Sequence, residues 1–125
     1  FVYSARFEKG RIKELTERFP DLSFRLHAIS DRMVDLLDIA IERYYHPSQQ
    51  GSWSIKKVLP AIAPDLDYGE LDGVQNGEMA MTAFKEAIAL SCSPERKVEI
   101  EAQLQRYCEL DTLAMVRIWE FLRGS

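Results

Sequence analysis

Little in this sequence could staple a fold or grip a soft metal. Among 125 residues there are two cysteines, Cys92 and Cys108, a poor basis for a disulfide framework. No CxxC pair and no HExxH helix occurs, and the only histidines, His27 and His46, lie far apart, which favours structural roles for both. No apolar run is long enough to span a bilayer and no signal peptide is evident. No membrane is therefore expected as a partner, and a reducing cytoplasm is the expected home. A positive surplus is missing as well: the net charge is −4 and the pI near 5.2, so no global field recruits nucleic acid. That absence leaves a nucleic-acid enzyme open, because clustered catalytic carboxylates add negative charge that bound metal would cancel. Repeats, low-complexity tracts and linker-like stretches are absent too.

What is present is an ordinary globular balance. With 46% hydrophobic and 29% charged residues, disorder is excluded and one domain over residues 1–125 is expected. The opening Phe1-Val2-Tyr3 reads as a β-strand with no evident partner nearby. A lone strand cannot satisfy its backbone groups, so the expectation is a piece of a larger domain whose sheet lies upstream. Ser4 is placed to cap a helix from Ala5 to Phe19, stopped by Pro20. A short segment follows near Leu22–Ala28, and Met33–Ile41 reads as an extended stretch passing into a helix that ends near Tyr45. The run from His46 to Ser52 is the clearest loop and is expected to be mobile. Ser52 or Ser54 would cap a short helix from Ile55 to Ile62. After an irregular stretch, Gly77–Leu90 reads as a helix with Met79, Ala83, Phe84, Ala87 and Leu90 near one face. Ser93-Pro94-Glu95 starts the last helix, which runs to Leu122 with one break conceivable.

Two acids fall where leucines would be expected. In the last helix Ile100, Leu104, Met115, Ile118 and Leu122 form one stripe, and Asp111 lies in its middle. In the first, the stripe is Ile12, Leu15 and Phe19, and one turn before Ile12 is Glu8. An ionised carboxylate on a dry face costs several kcal/mol, at the order-of-magnitude level, unless something compensates it. Each acid pairs with a buried Arg or hydrogen-bonds a backbone amide, or the two share a divalent cation; Mg²⁺ or Mn²⁺ suits oxygen ligands. Tyr107 is one turn before Asp111 and could orient a water for attack on a phosphodiester; alternatively it is an amphipathic core residue.

These residues resemble a known family. Tyr107-Cys108-Glu109-Leu110-Asp111 fits the Tyr-x-x-x-Asp third motif of the DEDDy 3′–5′ exonucleases, which have a ribonuclease H-like fold. Val2-Tyr3-Ser4-Ala5-Arg6-Phe7-Glu8 resembles their second motif, a strand leading through a turn and an aromatic residue to an acid that opens a helix. Val34-Asp35-Leu36 and the helix Ser54-Ile55-Lys56-Lys57-Val58-Leu59 look like segments between those motifs in related predicted nucleases. The chain as a whole is similar to the C-terminal part of an uncharacterised bacterial domain family, on the run from Tyr44 through Gly51-Ser52 to Pro60 and on Tyr107 to Met115. The sequence departs from the exonuclease pattern in three ways. The Asp-x-Glu first motif would lie before Phe1, Glu8 stands where aspartate is the norm, and no basic groove is conspicuous.

The resemblance implies a mostly α chain, the helical C-terminal part of a ribonuclease H-like α/β fold whose main sheet is largely missing. It implies a metal-dependent 3′–5′ exonuclease acting on nucleic acid, expected to be single-stranded. Glu8, Tyr107 and Asp111 would be catalytic, with Glu8 and Asp111 as ligands of Mg or Mn. Two ions roughly 3.5–4 Å apart are the family's arrangement, expected only in the full-length domain. Ser54, Lys56 and Lys57 could hold a substrate phosphate, or be an ordinary cap followed by solvated lysines. Asp35 is a further metal or substrate candidate, or the end of a strand. Trp53, Tyr44 and Tyr45 could stack bases or pack in the core. The rival reading is a non-catalytic helical interaction module on a degenerate nuclease fold. Oligomeric state is not legible.

Overall fold

The opening segment finds its partner thirty residues later. In the computed structural model, which describes residues 1–124, the Val2 amide donates to the Val34 carbonyl (3.0 Å) and the Leu36 amide to the Val2 carbonyl (2.9 Å). Val2 and Asp35 thus form an isolated parallel bridge. Phe1-Val2-Tyr3, expected as a β-strand, makes this one bridge and no strand among the described residues. Parallel pairing needs a long crossover, and the chain between supplies one from two helices. These are α1 (Ala5–Arg18) and α2 (Ser23–Asp31), joined by a 3₁₀ turn at Pro20–Leu22. Beyond the bridge come α3 (Leu36–Arg43), α4 (Ile55–Ile62), α5 (Gly77–Ile88) and α6 (Pro94–Gly124), so the described chain is mostly α.

Asp35 organises the start of two of these helices. Its carboxylate accepts from the amides of Ser4 (2.9 Å), Ala5 (2.6 Å) and Leu37 (3.0 Å), so one side chain caps both α1 and α3. Such amides have no partner inside the helix and favour an anion. This displaces Ser4 from the capping role expected of it: Ser4 occupies the cap position, but its hydroxyl makes no capping bond. Its backbone is left-handed, with φ 74°. A glycine adopts that conformation without a Cβ penalty. Ser4→Gly is therefore expected to raise stability by up to about 1 kcal/mol in urea unfolding.

The His46–Ser52 segment is pinned rather than loose. Gln49 is fully buried; its Oε1 accepts from the His46 amide (2.8 Å) and its Nε2 donates to the Ser52 carbonyl (3.2 Å). Just beyond, Trp53 donates from Nε1 to the Tyr44 carbonyl (3.1 Å) and accepts at its own carbonyl from the Tyr3 hydroxyl (2.5 Å). Burial, followed by the nearby Asp35 charge, pushes the Tyr3 phenol up to about 12. The unfolded phenol titrates near 10, so the folded state resists ionisation. The stabilisation is complete below about pH 10 and fades as pH rises towards 12. Tyr3→Phe is expected to flatten the fall in melting temperature over that window.

The core lies between α3, α4 and α6. Leu36, Val58, Leu59, Ala63, Tyr68, Ala114 and Ile118 form one buried cluster, and Val74, Ala83 and Ile100 a second between α5 and α6. By contrast α1 and α2 pack on each other and contain no buried residue. The stripe expected to be buried is therefore half-open, with Leu15 43% and Phe19 46% exposed. Two helices meeting along one line cannot enclose side chains; a second covering layer is needed. The α5 stripe is similarly incomplete: Ala83 is buried, whereas Phe84 and Leu90 are exposed.

Candidate functional site

The α6 helix carries Tyr107 and Asp111 one turn apart on its inward side. Its start is set by Ser93, whose Oγ accepts from the Arg96 amide (3.2 Å) with Pro94 at the first helical position. From there it runs unbroken for 31 residues. Tyr107 packs against both buried clusters, and Asp111 is half-buried where the larger one begins.

Asp111 is met there by Tyr68, a residue that the sequence pattern did not single out. The Tyr68 hydroxyl donates to Asp111 Oδ1 at 2.8 Å. Tyr68 opens a 3₁₀ turn, Tyr68–Glu70, fixed by Asp67 Oδ1 accepting from the Gly69 amide (2.7 Å). The Gln75 amide tightens the following loop by donating to the Gly69 and Leu71 carbonyls, both at 2.9 Å. Asp-Tyr-Gly is a recognisable turn signal, but nothing local says that its tyrosine reaches a helix 43 residues on. Neither ordinary partner expected for Asp111, a buried arginine or a backbone amide, is used. Oδ2 accepts no hydrogen bond from any described residue and is not sealed from solvent.

Both tyrosines are held in the neutral form. Burial raises the Tyr68 phenol far above its usual range, and the hydrogen bond to Asp111 and that carboxylate's charge add to the effect. Tyr107 is raised by burial first, then by the Asp111 charge. The two rings lie 6.1 Å apart at 55°. Lys56, on α4, places its ammonium 5.9 Å from the Tyr68 ring centroid, beside a cavity of about 230 Å³ lined also by Pro60, Gln75 and Asn76. Of the three phosphate candidates, then, Lys56 reaches the Tyr68 neighbourhood. Ser54 occupies the α4 cap position without a side-chain bond, and Lys57 is exposed.

Glu8 has a different setting. It is half-buried on α1 and makes no hydrogen bond or ion pair among the described residues. Its helix packs principally on α2, while α6 packs on α3, α4 and α5. Asp35 is committed to the two helix starts. Tyr44 and Trp53 pack against the larger cluster, and the Tyr45 ring lies tilted at 46° to that of Trp53 with centroids 5.7 Å apart. His46 caps the turn that follows it through Nδ1, and His27 is exposed. Cys92 and Cys108 are both free thiols. The arginine pairs are elsewhere, Arg11 with Glu14, Arg96 with Glu86 and Glu99, and Arg117 with Asp65. Among the described residues no group of three or more His, Cys, Asp or Glu could hold a metal ion. The residues present do not by themselves fit the metal centre that the exonuclease likeness implies. No helix among them is long and apolar enough to cross a membrane.

Residues 1–54 match the model of a domain of unknown function, DUF2779. The chain is similar to an uncharacterised domain family. Over 98% of its length it is 33% identical to the uncharacterised protein MG366 homolog of Mycoplasma pneumoniae. It is 29% identical to the uncharacterised protein UU173 of Ureaplasma parvum and 28% to the uncharacterised protein MG366 of Mycoplasma genitalium, again over 98% of the chain. The chain spans 20% of the length of each of these relatives. No solved structure matches it.

Proposed function

We propose that this chain carries the Tyr107–Asp111 part of a metal-dependent, 3′–5′ exonuclease-like phosphodiester hydrolase acting on single-stranded nucleic acid. The observation that carries the reading is the state of Asp111. It is a half-buried carboxylate in a core stripe, with no cationic partner, one oxygen held by Tyr68 and the other left without a protein donor. That oxygen is open to solvent and so to a ligand as well.

In this reading Asp111 would be one acidic ligand; Glu8, on a helix that packs principally on α2, would join it only in a centre whose other ligands come from outside these residues. A Mg²⁺ or Mn²⁺ ion, if completed by ligands from elsewhere, would supply charge stabilisation there. Tyr107, kept protonated by burial, orients the attacking water through its hydroxyl. Lys56 offers a cation for substrate phosphate. The test uses the whole polypeptide, of the relatives' length, with end-labelled single-stranded DNA and RNA. Mn²⁺-dependent shortening is expected, and a protein inert on both substrates overturns the reading.

One set of observations favours a second reading, a non-catalytic helical interaction module. The described residues hold no three-acid group, and large apolar side chains stand open on α1, α2 and α5, among them Phe7 at 61% and Phe24 at 85%. Surfaces of that kind mark contact with another polypeptide segment. Inert protein in the nuclease assay is the outcome this reading expects.

A further inference from the structure

The geometry points to Tyr68 as a positioning residue for Asp111, a role that rests on the hydrolase reading and adds a residue to it. Its ring is only 6% exposed and packs within the larger buried cluster, so its place is fixed by apolar contacts. The backbone beneath it is fixed separately, by the Asp67 cap and by the two bonds from Gln75. A side chain anchored at both ends has one polar atom left, and that atom donates to Asp111 Oδ1.

An aspartate on a helix otherwise rotates about χ1 and χ2 among several staggered arrangements. The Tyr68 bond selects one and occupies one oxygen. Oδ2 accepts no hydrogen bond from any described residue and is the oxygen left open to a ligand. The Lys56 ammonium lies 5.9 Å from the centroid of the same ring, and both residues line the adjoining cavity. Tyr68 therefore ties the loop between α4 and α5 to the α6 carboxylate, and displacement of that loop displaces Asp111.

Tyr68→Phe tests this, because it removes one hydroxyl and keeps the ring that packs. In the whole polypeptide, assayed well below its melting temperature, the variant should lose about tenfold to a hundredfold in kcat, the scale of a misplaced catalytic group. KM for a single-stranded oligonucleotide should change little, since Tyr68 holds Asp111 and not the substrate. In an Asp111→Asn background the same change should have no further effect on the residual rate. Wild-type kcat in Tyr68→Phe, or a loss that persists undiminished in the Asp111→Asn background, overturns the positioning role alone. A wild-type polypeptide that hydrolyses nothing overturns the hydrolase reading itself, and this role falls with it.

Discussion

Asp35→Ala is expected to cost about 2–4 kcal/mol of folding stability, the largest effect of any single polar side chain outside the core. The figure follows from the three backbone amides at 2.6–3.0 Å that this one carboxylate satisfies at the starts of α1 and α3. Losing a single cap costs about 1–2 kcal/mol, and here two are lost together. Asp35→Asn should recover part of the loss, because its carbonyl oxygen still accepts while its amide nitrogen cannot. Equilibrium urea unfolding of the three proteins measures both effects. A change below about 0.5 kcal/mol for Asp35→Ala would mean that solvent satisfies those amides equally well.

Under the proposed function, Asp111→Asn is expected to lower the rate of nucleic-acid hydrolysis by about 10³- to 10⁴-fold, roughly 4–5 kcal/mol of transition-state stabilisation. The substitution keeps the shape of the side chain and an oxygen that can accept from Tyr68 but removes the charge. Tyr107→Phe should cost less, about 10²-fold, because on the same proposal it removes a hydroxyl that orients water and leaves the carboxylate in place. Initial rates on one single-stranded oligonucleotide order the two variants. Tyr107→Phe at wild-type rate would return that residue to a packing role at the junction of the two clusters.

Elements whose ends are written in local chemistry were legible from the sequence. The α4 helix spans Ile55–Ile62 as expected, and Ser93-Pro94 begins α6 as expected. The end of α5 falls at Ile88, two residues before the expected Leu90, which is fully exposed. Contacts between distant residues were not legible. Val2 pairs near residue 34, Asp35 reaches back to Ser4, and Tyr68 crosses to Asp111; no periodicity within a helix encodes such meetings. The stripe on α1 misled for a related reason, since an apolar face specifies that burial is favourable and not that a partner covers it. For the candidate site, Tyr107 and Asp111 stood out because a charge interrupts a hydrophobic pattern. Tyr68 did not, because a tyrosine in a polar loop interrupts nothing.

Under the proposed function the Asp111 carboxylate sits in the helix stripe for chemistry and contributes little to holding the chain together. Urea unfolding of Asp111→Asn beside the wild type tests it most directly. Stability equal to the wild type within about 1 kcal/mol, or higher, is predicted, since the Tyr68 bond survives and a half-buried charge is gone. A loss of about 3 kcal/mol or more would make the ionised carboxylate a structural partner of Tyr68 and contradict the account.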